Sequence, residues 1–182
     1  MLSEAQLLAM TTEQRADAAK IAVWRGCKKL LKRDLMLLAI GAHEQAICHR
    51  LAVYLETFSA LNVDCEYNRQ RVHPKSIRDG RIKPDILIHK RMDNRFNIMV
   101  LEAKAGAATS LRDKQKLEAM LEIRGMYSYA LGVYLHVENK RKRVLETGKV
   151  RLNLRWHGTD DAYEMARDVP ENILHEIAAQ PD

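Results

Sequence analysis

Two short stretches of the sequence bring acids and a lysine together: Pro84-Asp85 opens PDILIHK (84–90), and Glu102-Ala103-Lys104 closes FNIMVLEAK (96–104). Both read as strands, and Asp93 and Asn94 between them suit a turn, so a hairpin is the economical solution. If the turn centres on 93 and 94, antiparallel partners have numbers summing to 187, and Asp85 stands opposite Glu102. Alternation puts Lys104 on that face with Leu87, His89, Ile98 and Val100, and sends Ile86, Ile88, Met99, Leu101 and Ala103 to the other. Opposed carboxylates repel each other, and a divalent cation with help from Lys104 would offset the repulsion. An oxygen ligand set without cysteine fits Mg²⁺ or Mn²⁺ better than zinc. The chemistry such a set suits is phosphodiester hydrolysis: metal on the phosphate and on a bound water, lysine orienting or deprotonating the nucleophile.

Further residues bear on this site. Glu44 shares a helical stripe with Ile47, Cys48, Leu51 and Leu55, an apolar setting for a carboxylate. It could complete a metal shell, or simply favour the first turn of its helix electrostatically. His43-Glu44 followed by His49 is not a zinc-protease helix, because Ile47 stands where the second histidine would be needed. His49 and His89 could flank the site, although a hydrogen-bonded structural histidine is the commoner role. Glu66 and Asn68 share a face and could line the cleft or face solvent on an edge strand. Trp24 and Trp156 read as core residues.

The elements that must position these groups follow from hydrophobic periodicity. Residues 1–40 read as helix, with Thr11 or Thr12 as cap and Ile21, Trp24, Leu30 and Leu31 at near-helical spacing; Gly41 interrupts it. A second amphipathic helix runs from about Ala42 to Phe58. Val63, Cys65 and Tyr67 alternate with polar residues as in a half-exposed strand. Gln70 to Lys83 is a loop or irregular hairpin. After the central hairpin come a helix from Ser110 to about Met126 with Asp113 in its first turn, a strand over Tyr129–Val137, a basic loop over Asn139–Arg143, an alternating strand through Val150, Leu152, Leu154 and Trp156, and a helix over Glu171–Ala179. This order requires an α/β architecture with a central mixed sheet flanked by helices.

Pro84-Asp85 and Glu102-Ala103-Lys104 across a hairpin, with Glu44 on a preceding helix, resemble the PD-(D/E)XK nucleases of restriction-endonuclease-like fold. The resemblance covers roughly residues 40–137 in the order of the αβββαβ core, and HRLAVYLE, VDCEYNR, PDILIHKR and VLEAK look most like uncharacterised bacterial members. It implies that Asp85 and Glu102 bind the metal with the Ala103 carbonyl, that Lys104 serves the water, and that Glu44 is an accessory ligand. A polar residue on the following helix, Gln115 or Lys116, is a loose further match. On this reading residues 1–40 are a helical extension and 41–182 a nuclease-like domain, a metal-dependent hydrolase of DNA. The alternative is an inactive nuclease-like module that binds nucleic acid or a partner protein.

Composition agrees with a basic, packed protein. The 182 residues carry a net charge of +6 and 47% hydrophobic residues, enough for one core and too apolar for disorder. Only 5% are aromatic, which disfavours binding by stacking many bases. Arg69–Arg95 holds nine Lys or Arg against three Asp, a surplus that would draw a phosphate backbone toward Asp85 and Glu102, or that forms a solvated loop face. Lys140–Arg143 is a second basic run, a phosphate contact or a soluble turn. Cys27, Cys48 and Cys65 offer neither a disulfide framework nor a metal ribbon and read as buried thiols of a reducing cytosol. With no leader pattern and no membrane span, a cytoplasmic protein is expected, and the helical N-terminus is a candidate homodimer interface.

Overall fold

The computed structural model describes residues 1–70, 72–77, 80–106, 111–122 and 125–180. The N-terminal helical stretch is three helices: α1 (Glu4–Ala9), α2 (Thr12–Arg33) and α3 (Leu35–Ala39). Ser3 and Thr11 each close a capping box, with Gln6 and Gln14 respectively. Gly41 breaks the run at a positive φ of 72°, and α4 (Glu44–Leu55) follows, burying Ile47, Cys48, Leu51, Tyr54 and Leu55 as its periodicity requires. A side chain at Gly26 would stand 3.0 Å from Leu51, so glycine there lets α2 lie close on α4.

After α4 come β1 (Asn62–Cys65) and four two-residue strands, β2 (Arg69–Gln70), β3 (His73–Pro74), β4 (Ser76–Ile77) and β5 (Gly80–Arg81), which form the irregular hairpin segment. Then follow β6 (Ile86–His89), β7 (Met99–Ala105), α5 (Leu111–Leu121), β8 (Leu131–Glu138), α6 (Arg141–Thr147), β9 (Lys149–Trp156), β10 (Ala162–Asp168) and α7 (Glu171–Ala179). The main sheet has six strands in the order β1-β6-β7-β8-β9-β10. Only β7 and β8 run parallel, joined through α5; the other neighbours are antiparallel. The architecture is therefore α/β, a mixed sheet flanked by helices, and helix, strand, hairpin, helix and strand occur in the expected order.

The hairpin has the expected register: Ile86 pairs Leu101, Leu87 pairs Val100 and Ile88 pairs Met99. Its connection differs from a two-residue turn. Lys90 bridges Asp93, Met92 adopts a positive φ of 69°, and Asn94–Phe96 is a 3₁₀ turn, so the second strand starts at Met99. Ile98 precedes that strand and joins the large core with Ile86, Ile88, Met99 and Leu101 instead of the Asp85 face, because the alternation does not extend to it. Three other expectations are corrected. Lys140–Arg143 is not a loop; it opens α6, whose Arg141 guanidinium donates to the Ile177 and Ala178 carbonyls at the end of α7. The segment between β9 and the last helix, for which the periodicity predicts no element, forms strand β10, of whose seven residues only Met165 is buried. Cys65 is exposed, on the edge strand β1, while Cys27 and Cys48 are buried. Ser110, the expected cap of α5, lies outside the described residues.

Most apolar side chains form one core between the sheet and the N-terminal helices, to which Leu7, Val23, Cys27 and Leu30 contribute. The opposite face carries a smaller cluster of Leu87 and Val100 from the sheet with Leu117 and Met120 from α5 and Ile82, Tyr127 and Tyr129 from the loops. No helix among the described residues is long and apolar enough to cross a membrane.

Candidate metal and phosphate site

The sheet brings Glu44, Asp85, Glu102 and Lys104 together at one end of the hairpin. Asp85 sits one residue before β6 and its Oδ2 accepts the Ala103 N–H at 2.7 Å. Glu44, in the first turn of α4, accepts from Lys104 Nζ (3.1 Å) and from the Ala105 N–H (3.2 Å). Glu102 is almost fully buried and its Oε2 accepts from Lys116 Nζ at 2.5 Å. Its Oε1 is buried with no hydrogen-bond partner, the one such side-chain atom among the described residues. An acceptor left without a partner in a protein interior is costly, and unbound ligand positions are one place where it occurs.

Two residues of α5 complete the cluster. Asp113, only 5% exposed, lies 3.9 Å from Lys104 Nζ and 3.7 Å from Lys116 Nζ. Lys116 is a loose candidate from the sequence, whereas the sequence neighbourhood of Asp113 signals only a helix start. The pattern that identifies them is the stripe Asp113, Lys116, Leu117 and Met120, at i, i+3, i+4 and i+7, which turns toward the sheet. Charged groups on a core-facing stripe signal a site. Gln115, the other candidate, is exposed in a cleft of about 890 Å³ that Arg81, Arg112 and Lys116 also line. A cavity of about 270 Å³ lined by Glu44, Gln45, Cys65, Glu66 and Asp85 borders the cluster through Glu44 and Asp85.

The electrostatics follow from crowding. Burial, and next the charge of Asp85, push the Glu102 carboxyl up to about 8 against the pull of Lys116. Burial likewise raises Asp85, although the Ala103 N–H and Lys116 oppose it. For Lys104 burial works against the charge, but the hydrogen bond to Glu44 and the fields of Glu44, Asp113 and Asp85 together hold its pKa above the ordinary lysine value. The cluster holds four carboxylates and two lysines, so with every group ionised it carries an excess of two negative charges.

The other candidates are elsewhere. His89 is buried and paired with Asp64 (2.9 Å), which also binds Arg91, and it lies against the Tyr67 ring. Glu66, at a positive φ of 53°, is held by Gln45 and Lys83, each at 2.8 Å. His49 is exposed, Trp156 is buried, and Trp24 is half-buried against Tyr163. The basic segment is largely neutralised within the fold: Lys83 pairs with Glu66, Lys90 with Glu4, Arg91 with Asp64 and Arg95 with Asp93, while Lys75 is buried against the Tyr67 and Tyr129 rings. Of its nine cations, Arg71 and Arg78 lie outside the described residues, and Arg69 and Arg81 are exposed.

Among the described residues no three histidine, cysteine or acidic side chains form a ready-made metal cage. Mg²⁺ does not require one, since it keeps several waters and is often held by one or two carboxylates with the substrate phosphate. The buried carboxylates with an acidic excess, and the orphaned Glu102 Oε1, fit such a cation. The chain matches no protein-family model, no curated protein and no solved structure.

Proposed function

We propose that this chain is a metal-dependent phosphodiesterase of restriction-endonuclease-like fold acting on DNA. The observation that carries the reading is Glu102 Oε1, a buried acceptor without a partner among the described residues, in a cluster where acids outnumber lysines by two. Asp85 and Glu102 would hold Mg²⁺ or Mn²⁺, with the Ala103 carbonyl and Glu44 as further oxygens. When bound, the cation neutralises phosphate oxygens and lowers the pKa of a coordinated water. The Ala103 N–H fixes Asp85, and Glu44 fixes Lys104. Lys104, held by Glu44 and close to Asp113, would orient or deprotonate the attacking water. Asp113 holds Lys104 and Lys116 from the helix side.

One observation favours the rival, non-catalytic module: Lys116 already donates to one Glu102 oxygen, as in a self-sufficient buried pair. Plasmid cleavage with Mg²⁺, with calorimetric titration by Mn²⁺, separates the two. Wild type is expected to bind Mn²⁺ and cleave; Asp85→Ala loses both, and Lys104→Ala loses roughly 10²–10⁴-fold in cleavage while still binding Mn²⁺. Equal cleavage by all three proteins, or no Mn²⁺ binding by wild type, overturns the proposal.

A further inference from the structure

A run of exposed positive charge without ion-pair partners among the described residues lies on α2, apart from the acidic cluster. This helix holds seven Lys or Arg against two acids. Arg15 donates to backbone carbonyls and Lys20 pairs with Asp17. The remaining five, Arg25, Lys28, Lys29, Lys32 and Arg33, are all exposed, and none makes an ion pair among the described residues. Their spacing of i, i+3, i+4, i+7 and i+8 places them in one stripe. Val23, Cys27 and Leu30 occupy the opposite side, in the core. The arrangement works against the helix, since Arg25 with Lys28 and Lys29, Lys28 with Lys32, and Lys29 with Lys32 and Arg33 are like-charge neighbours. The helix dipole favours only the last turn, Lys32 and Arg33.

We infer that this stripe is a docking surface for the phosphate backbone of double-stranded nucleic acid, separate from the acidic cluster. It spans about 12 Å of helix, over which a duplex presents roughly seven phosphate charges. The adjoining groove is lined by Arg25, Lys28 and Lys29 and closed by Tyr54 in the last turn of α4 and by Thr57 and Phe58 just after it, at the end opposite Glu44. An anionic membrane is a poorer partner, because a helix lying in a membrane buries its apolar side and here that side is inside the protein. The choice of nucleic acid over other polyanions rests on the phosphodiesterase reading; the surface itself does not.

The test is fluorescence anisotropy of a labelled 20-base-pair duplex in EDTA across a salt series. Without metal no cleavage occurs, so failure of the catalytic reading leaves this result standing. The stripe variant Lys28→Gln/Lys29→Gln/Lys32→Gln is compared with a control of equal charge change at exposed positions elsewhere, Lys149→Gln/Arg155→Gln/Arg167→Gln. The stripe variant is expected to bind at least about tenfold more weakly and to lower the slope of log K against log salt by about 2.7, with the control near wild type. Equal losses in both variants, no loss in either, or wild-type binding to phosphatidylserine vesicles and not to the duplex would each overturn the inference. All six side chains are exposed, so both variants are expected to keep the wild-type melting temperature within a few degrees.

Discussion

The two faces of the β6–β7 hairpin are built from alternate residues of the same strands and do opposite things. One face presents Ile86, Ile88, Met99, Leu101 and Ala103 to the large core under the N-terminal helices. The other carries Leu87 and Val100 into a small cluster under α5, and ends in Asp85, Glu102 and Lys104. A sheet covered on both faces can separate stability from chemistry in this way. The first face is sealed by many apolar neighbours, whereas the second ends in charged groups that pair with Glu44 of α4 and with Asp113 and Lys116 of α5.

Adjacent residues provide the sharpest way to break the contrast. Ile86 and Leu87 are both fully buried, lose the same three carbons on truncation to alanine, and point to opposite faces. Such truncations cost about 2–5 kcal/mol, the upper end belonging to sites whose surroundings cannot collapse. Ile86→Ala is expected near the top of that range by chemical denaturation. Leu87→Ala is expected nearer the bottom, because a cluster walled by one helix and loops relaxes more easily than a core between layers. Equal costs would show that the two faces are packed alike.

How much of this was legible beforehand depended on whether the signal was local. The hairpin register could be read because strand alternation and turn residues agreed, and it carried Asp85, Glu102 and Lys104 to one face. The stripe of α4 similarly placed Glu44 beside the core. Asp113 was not recognised because its sequence neighbourhood fits a helix start equally well; only the packing of α5 on the sheet shows that it is buried between two lysines. Strand β10 has one buried residue in seven and no alternation of hydrophobicity, and is held by pairing with β9 and by ion pairs such as Arg151 with Glu164. The basic segment misled for the same reason. Charge counts along a chain do not reveal that Glu4, Glu66 and Asp64 come from elsewhere to pair with Lys90, Lys83 and Arg91.

The remaining expected effect concerns the charged end of the second face, where the sign of the pH dependence is the test. Glu102 has a folded-state pKa of about 8, above its ordinary 4.5, so between these values the folded chain binds a proton that the unfolded chain has released. Stability therefore falls as pH rises from about 4.5 to about 8, the reverse of an acid held by a salt bridge. Glu102→Gln keeps an oxygen for Lys116 and removes the titration. Denaturation midpoints of the variant are expected to change less than wild type over this interval, and to exceed wild type at pH 8.5. Saturating Mg²⁺ should flatten the wild-type profile but not that of Glu102→Gln, because a cation on the carboxylate holds it ionised. A wild-type profile already flat without metal would mean that Lys116 alone neutralises Glu102, and the two hairpin faces would then differ in packing but not in charge.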